Sequence, residues 1–109
     1  MNSKAKGNRG EKEFTALCRE EGYDTHRAQQ PYARGGIDTA DIVGLPHLHV
    51  EVKRTEKLRL YEAMAQATRD SAGQAIPIVA HRRNRDGWLI TMRAGDWFSL
   101  YREWETGHF

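Results

Sequence analysis

The clearest hydrophobic pattern lies in the middle of the chain. From His47 to Lys53 apolar and polar positions alternate without a break: Leu48, Val50 and Val52 on one side, His47, His49, Glu51 and Lys53 on the other. A period of two is that of a strand with one buried face. Glu51 and Lys53 then stand on the open face, about 6.6 Å apart along the strand. The preceding Asp41-Ile42-Val43 reads as its antiparallel partner, turned through Gly44-Leu45-Pro46. For Ile42 and Val50 to share the core face, the connection must be odd in length, and that register sets Asp41 opposite Glu51. Ala40, Ile42, Val50 and Val52 are thus the predicted core positions, with Asp41, Glu51 and Lys53 converging on the other side.

Helical periods flank this hairpin. Residues 10–21 predict a helix with Phe14, Leu17 and Cys18 inward, stopped at Gly22. Glu11 borders that stripe and Glu13 sits further round the helix. A carboxylate at the edge of a buried stripe needs a partner, either a lysine or arginine or a bound cation. Ahead of the helix, residues 1–9 carry Lys4, Lys6 and Arg9 among Gly, Ser and Asn and read as a mobile basic arm. Residues 23–28 predict a short strand, and 29–36 a loop containing Arg34. A second helix is predicted over 60–72 from Leu60, Met64 and Ala67, with Gly73 as its stop. Residues 76–80 predict a strand with Pro77 at its start or on an edge, and Asp86-Gly87 a hairpin turn into a last strand over 88–92. Asp96 is the predicted cap of a final helix whose Trp97, Leu100, Tyr101 and Trp104 share one side, as core or as a dimer surface. The order predicts an α/β fold: a mixed β-sheet flanked by helices, with the charged cluster near the middle of the sheet.

Composition narrows the classes. At 109 residues the chain reads as one domain, with 39% hydrophobic and 29% charged residues. Neither a membrane span nor a signal peptide is predicted. The single Cys18 excludes an internal disulfide and suits a reducing cytoplasm. A net charge of +2 with clustered Lys and Arg permits nucleic-acid binding without requiring it.

The converging charges suggest phosphodiester chemistry. Asp41 and Glu51 offer hard oxygen donors and the Val52 carbonyl a third, a set suited to Mg2+, with Mn2+ as a substitute. A divalent ion there would acidify its water and offset charge on a phosphodiester. Lys53 is placed to orient the attacking water or to stabilise the developing negative charge. Close to two carboxylates it stays protonated, which favours those roles over general base. His47 and His49 lack the further His or Cys that a zinc site needs, and read as solvated or DNA-facing.

The spacing of Asp41 and Glu51-Val52-Lys53 resembles the PD-(D/E)xK nuclease superfamily. Gly7-Asn8-Arg9-Gly10-Glu11-Lys12-Glu13-Phe14, the 36–44 segment, Glu51-Val52-Lys53, and Ile76-Pro77-Ile78-Val79 ahead of Gly87-Trp88 together resemble archaeal-type Holliday junction resolvases, over nearly the whole chain. The resemblance implies a restriction-endonuclease-like fold and a catalytic set of Glu11, Asp41, Glu51 and Lys53. Glu11, Asp41, Glu51 and Val52 are the implied metal shell. It also implies a homodimer that nicks opposing strands of a four-way DNA junction symmetrically. Lys4, Lys6, Arg9, Arg34, Arg54, Lys57, Arg82 and Arg83 are the candidate phosphate contacts. Ala40 departs from the proline of the superfamily motif, and Tyr61 and Gln66 match its exonuclease-like helix motif only in residue type. Two alternatives share the fold: a flap-, fork- or nicking-type nuclease, and a DNA-binding module without catalysis. Four acids and amines facing phosphate argue against the latter, since bare carboxylates repel a DNA backbone.

Overall fold

A computed structural model describes residues 3–28 and 40–108, with the side chains of 7–28 and 40–107. The order is α1 (Ser3–Glu20), β1 (His26–Arg27), β2 (Ile42–Val43), β3 (Leu48–Arg54), α2 (Leu60–Ser71), β4 (Ile76–Arg82), β5 (Leu89–Met92) and α3 (Ala94–His108). Among the described residues the strands form one five-stranded sheet in the order β1-β2-β3-β4-β5. β3 and β4 run parallel, joined through α2, and the remaining neighbours are antiparallel. This is the mixed, helix-flanked α/β sheet that the pattern predicts.

The alternation in β3 does sort the two faces. Ile42, Val50, Val52, Ile78 and Ala80 pack with Phe14 and Cys18 of α1 into the larger core. On the opposite face, Val79 packs with Ala63 and Ala67 of α2. The α1 helix comes very close to β3: a Cβ on Gly10 would lie 2.9 Å from the Arg54 Cβ. Trp88 closes the α1 side, its ring 5.1 Å from that of Phe14.

Several boundaries differ from expectation, each for a local reason. α1 begins at Ser3, so the basic stretch expected as an arm is its first turns; the side chains of Lys4 and Lys6 lie outside the described residues. The loop expected at 29–36, with Arg34, also lies outside them. Pro77 is the second residue of β4, at the strand's start as one of the two expected placements has it, and that strand is internal, not an edge. Ile76 N–H bonds His47 on the β3 side, so Pro77 nitrogen faces the other way. There β5 has already ended, at the Ile78–Met92 pair. The β4–β5 turn centres on Asn84-Arg85 instead of Asp86-Gly87: Asp86 N–H bonds the Arg83 carbonyl and Arg85 takes φ 71°. Asp96 does not cap α3 from outside. It lies in the first turn and accepts from Arg93 Nε at 2.8 Å.

The β2–β3 turn depends on Gly44. Its φ is 113°, and a Cβ there would collide with the Asp24 carbonyl and Thr25 Cα. Gly44→Ala is therefore expected to destabilise the fold by about 2 kcal/mol or more, measured as a lower urea midpoint at unchanged m-value. An unchanged midpoint would remove this turn from the account.

Candidate active site

The predicted register holds. Ile42 pairs with Val50, and Asp41 N–H donates to the Val50 carbonyl at 2.9 Å, so the carboxylates of Asp41 and Glu51 lie on neighbouring strands. The Asp41 Oδ2 accepts from the Val52 N–H at 2.8 Å, which fixes that carboxylate at the end of β2. Within a strand the carbonyl of a residue points to the same side as its N–H. The Val52 carbonyl is thus turned toward Asp41 as well.

Glu51 is deeply placed, only 2% exposed, in the middle of the sheet and under α2. Lys53, two residues on, is half-buried and donates from Nζ to Gln66 Oε1 on α2 at 3.4 Å. Burial and the nearby charge of Glu51 raise the Asp41 carboxyl to about 7; the Glu11 charge adds to this, and the Val52 N–H and Lys53 partly oppose it. A folded-state value above the unfolded one means that the folded protein holds this proton where the unfolded chain has lost it. The stability from this group is therefore complete below about pH 4 and is lost as pH rises through about 7. In metal-free buffer, thermal melts of the wild type should show this loss, and Asp41→Asn should flatten it. Equal slopes in the two proteins would mean that Asp41 does not hold the extra proton of the folded state.

Glu11 faces the same region from α1 and is held by Arg27, Nε to Oε1 3.1 Å, while Arg27 Nη2 also donates to Asn8 Oδ1 at 2.7 Å. Arg27 is thus an arginine partner of the kind foreseen for this carboxylate. Sequence reasoning did not single out Arg27, since a lone arginine in a two-residue strand carries no pattern. Glu13 is the anchor of a different network. Its carboxylate meets Arg54 Nε at 3.0 Å, Arg82 Nη1 at 3.3 Å and Arg9 Nε at 3.3 Å.

That network changes the reading of Arg54, expected on the positive border beside Lys53. Its side chain is 6% exposed and turned to the α1 face. The reason is the same period of two: Arg54 has the parity of Val50 and Val52, not of Glu51 and Lys53. Arg9 and Arg82 retain part of their surface, and Arg83 is exposed beside Asp86. A cleft of about 640 Å³ is lined among others by Lys57, His81, Arg82 and Arg83. His81, on the cleft wall, is the cross-strand neighbour of Lys53. His47 is exposed as expected, but His49 is buried, its Nε2 3.2 Å from Glu51 Oε1.

No family model matches the chain, and no curated protein matches it. Among solved structures it is similar to Hjc of Archaeoglobus fulgidus, a Holliday junction resolvase from an archaeal hyperthermophile. The TM-score is 0.59 at 24% identity, covering 80% of this chain and 72% of that one. The likeness shows that the chain has the fold of an archaeal-type resolvase. No described helix is long and apolar enough to cross a membrane.

Proposed function

We propose that the chain is a metal-dependent DNA endonuclease that acts on branched DNA, most specifically a Holliday junction resolvase. The observation that carries this reading is the pairing of Asp41 and Glu51 across β2 and β3 with Lys53 on the same face. Two carboxylates brought this close, one of them pushed up to about 7, suit a hard divalent cation such as Mg2+ or Mn2+. Asp41, Glu51 and the Val52 carbonyl would hold it, with Glu11 at the margin behind Arg27. When bound, the ion supplies charge neutralisation at the phosphodiester and a more acidic water.

The chain's own groups do the rest. Gln66 holds the Lys53 ammonium over the carboxylates, where it orients the attacking water and meets the negative charge that develops on phosphorus oxygens. Lys57, Arg82 and Arg83 on the cleft and Arg9 on α1 are the proposed contacts for the flanking phosphates, with Lys4, Lys6 and Arg34 as further candidates. Arg54, locked inside against Glu13, acts on DNA only by holding α1 to the sheet. The contacts proposed are to the backbone, which favours recognition of DNA shape over sequence.

A second copy of the chain completes the reading. α3 is exposed along its described length except at Asp96, and Trp97, Tyr101 and Trp104 form a stacked row on it. Leu89 and Ile90 of the edge strand β5 are exposed too. Apolar surface of this kind marks a protein interface, and a two-fold dimer would offer two sites to a two-fold junction. Incubating the protein with labelled four-way junction, flap and duplex in Mg2+ tests the substrate. Paired, symmetric nicks in the junction alone are expected. Preferential flap or duplex cleavage would keep the chemistry and replace the substrate.

A further inference from the structure

We propose that His49, Glu51 and Asp70 form a second divalent-cation site, on the side of Glu51 away from Asp41, which takes a transition-metal ion such as Co2+, Mn2+ or Zn2+ in preference to Mg2+. β3 delivers His49 and Glu51 two residues apart on one face, with Nε2 and Oε1 3.2 Å apart and each side chain only 3% exposed. The last turn of α2 brings Asp70 to the same place, and one donor atom from each residue lies within 4.8 Å of the others. Donors about 2.0–2.2 Å from a zinc-like ion stand a little closer together than that. Asp70, half-buried on the helix, is the donor that moves in.

A separate feature opens this cluster to solvent. A cavity of about 330 Å³ under the β2–β3 turn is bordered by His49, Asp70, Ser71 and Gln74. It supplies an entry path and room for the waters that complete a coordination shell. The donor set decides the ion. Two carboxylates balance a doubly charged cation, and an imidazole nitrogen is a ligand that Mg2+ avoids and first-row transition metals accept. Glu51 belongs to this site and to the one proposed for cleavage, so occupancy of one bears on the other. The assignment stands on its own donors and does not require that the chain cut DNA.

The test uses the full chain without DNA and Co2+ alone as the probe, read by visible absorption. Asp41→Asn serves as background so that the cleavage site does not contribute. One Co2+ per chain is expected there, with an absorption band that survives a tenfold excess of Mg2+. Adding Asp70→Asn should weaken Co2+ binding at least about tenfold, and adding His49→Gln should shift or abolish the band. Far-UV circular dichroism checks that each variant is folded. Should His49→Gln fail that check, selective broadening of the His49 imidazole NMR signals by Co2+ in the Asp41→Asn protein takes its place. Absence of binding in Asp41→Asn, displacement by Mg2+, binding indifferent to Asp70→Asn, or an unaltered His49 signature would each overturn the proposal.

Discussion

Lys53→Ala is expected to slow DNA cleavage by about a hundred- to a thousandfold at saturating Mg2+ while leaving junction binding nearly unchanged. Position accounts for the size of this effect. Lys53 has the parity of Glu51, its charge is felt at the Asp41 carboxyl, and its Nζ donates to Gln66 Oε1 at 3.4 Å. A cation in that place contributes most when negative charge builds up during reaction, and less to holding the DNA, whose many phosphates have other partners. Lys53→Arg should recover little, since a planar guanidinium does not reproduce a compact ammonium on a shared site. Single-turnover rates with labelled junction, beside binding isotherms in Ca2+, separate the two effects. A variant that binds poorly but cuts at the normal rate would make Lys53 a DNA contact and remove it from the chemistry.

The second large effect concerns the exposed helix. On the dimer proposed above, Tyr101→Glu is expected to weaken self-association by about a hundredfold or more, seen as a shift from dimer to monomer by light scattering at micromolar concentration. Tyr101 stacks between Trp97 and Trp104, at 5.1 and 5.8 Å between ring centroids, so a carboxylate there meets the centre of the apolar row. Residues at the centre of a buried patch contribute most to an interface, and a buried unpaired charge is costly. The same variant should lose coordinated double nicking before it loses single nicks, because each protomer carries its own Asp41, Glu51 and Lys53. A wild-type chain that is monomeric at all concentrations would leave the aromatic face without this role.

What the sequence made legible follows from which physical rule applies at each position. Strand parity is strict, and it predicted the core set Ala40, Ile42, Val50 and Val52 together with Asp41 opposite Glu51. All four core residues are buried and the register is the observed one. Arg54 shows the same rule neglected: its charge suggested the surface while its parity placed it inside, against Glu13. His49 was legible in part. Its face was predicted, but its burial depends on α2, which lies over that face of β3. Helix periodicity indicates which side of α2 is apolar, yet does not say that Gln66 and Asp70 from its flank will reach Lys53 and Glu51. The Glu11–Arg27 and Glu13–Arg82 pairs escaped for the same reason, since they join elements far apart in sequence. The fold of the archaeal-type resolvases was readable because it rests on motif order and alternation, both of them local signals.

The proposed activity is metal-dependent cleavage at the Asp41–Glu51–Lys53 cluster. Its most direct measurement follows end-labelled four-way junction over time with wild type and Asp41→Asn, in Mg2+ and again in excess chelator. Nicked products are expected from the wild type in Mg2+ only, and none from Asp41→Asn in either condition. Undiminished cleavage by Asp41→Asn, or cleavage that persists in chelator, would contradict it, as would wild-type protein that binds the junction and leaves it intact in both Mg2+ and Mn2+.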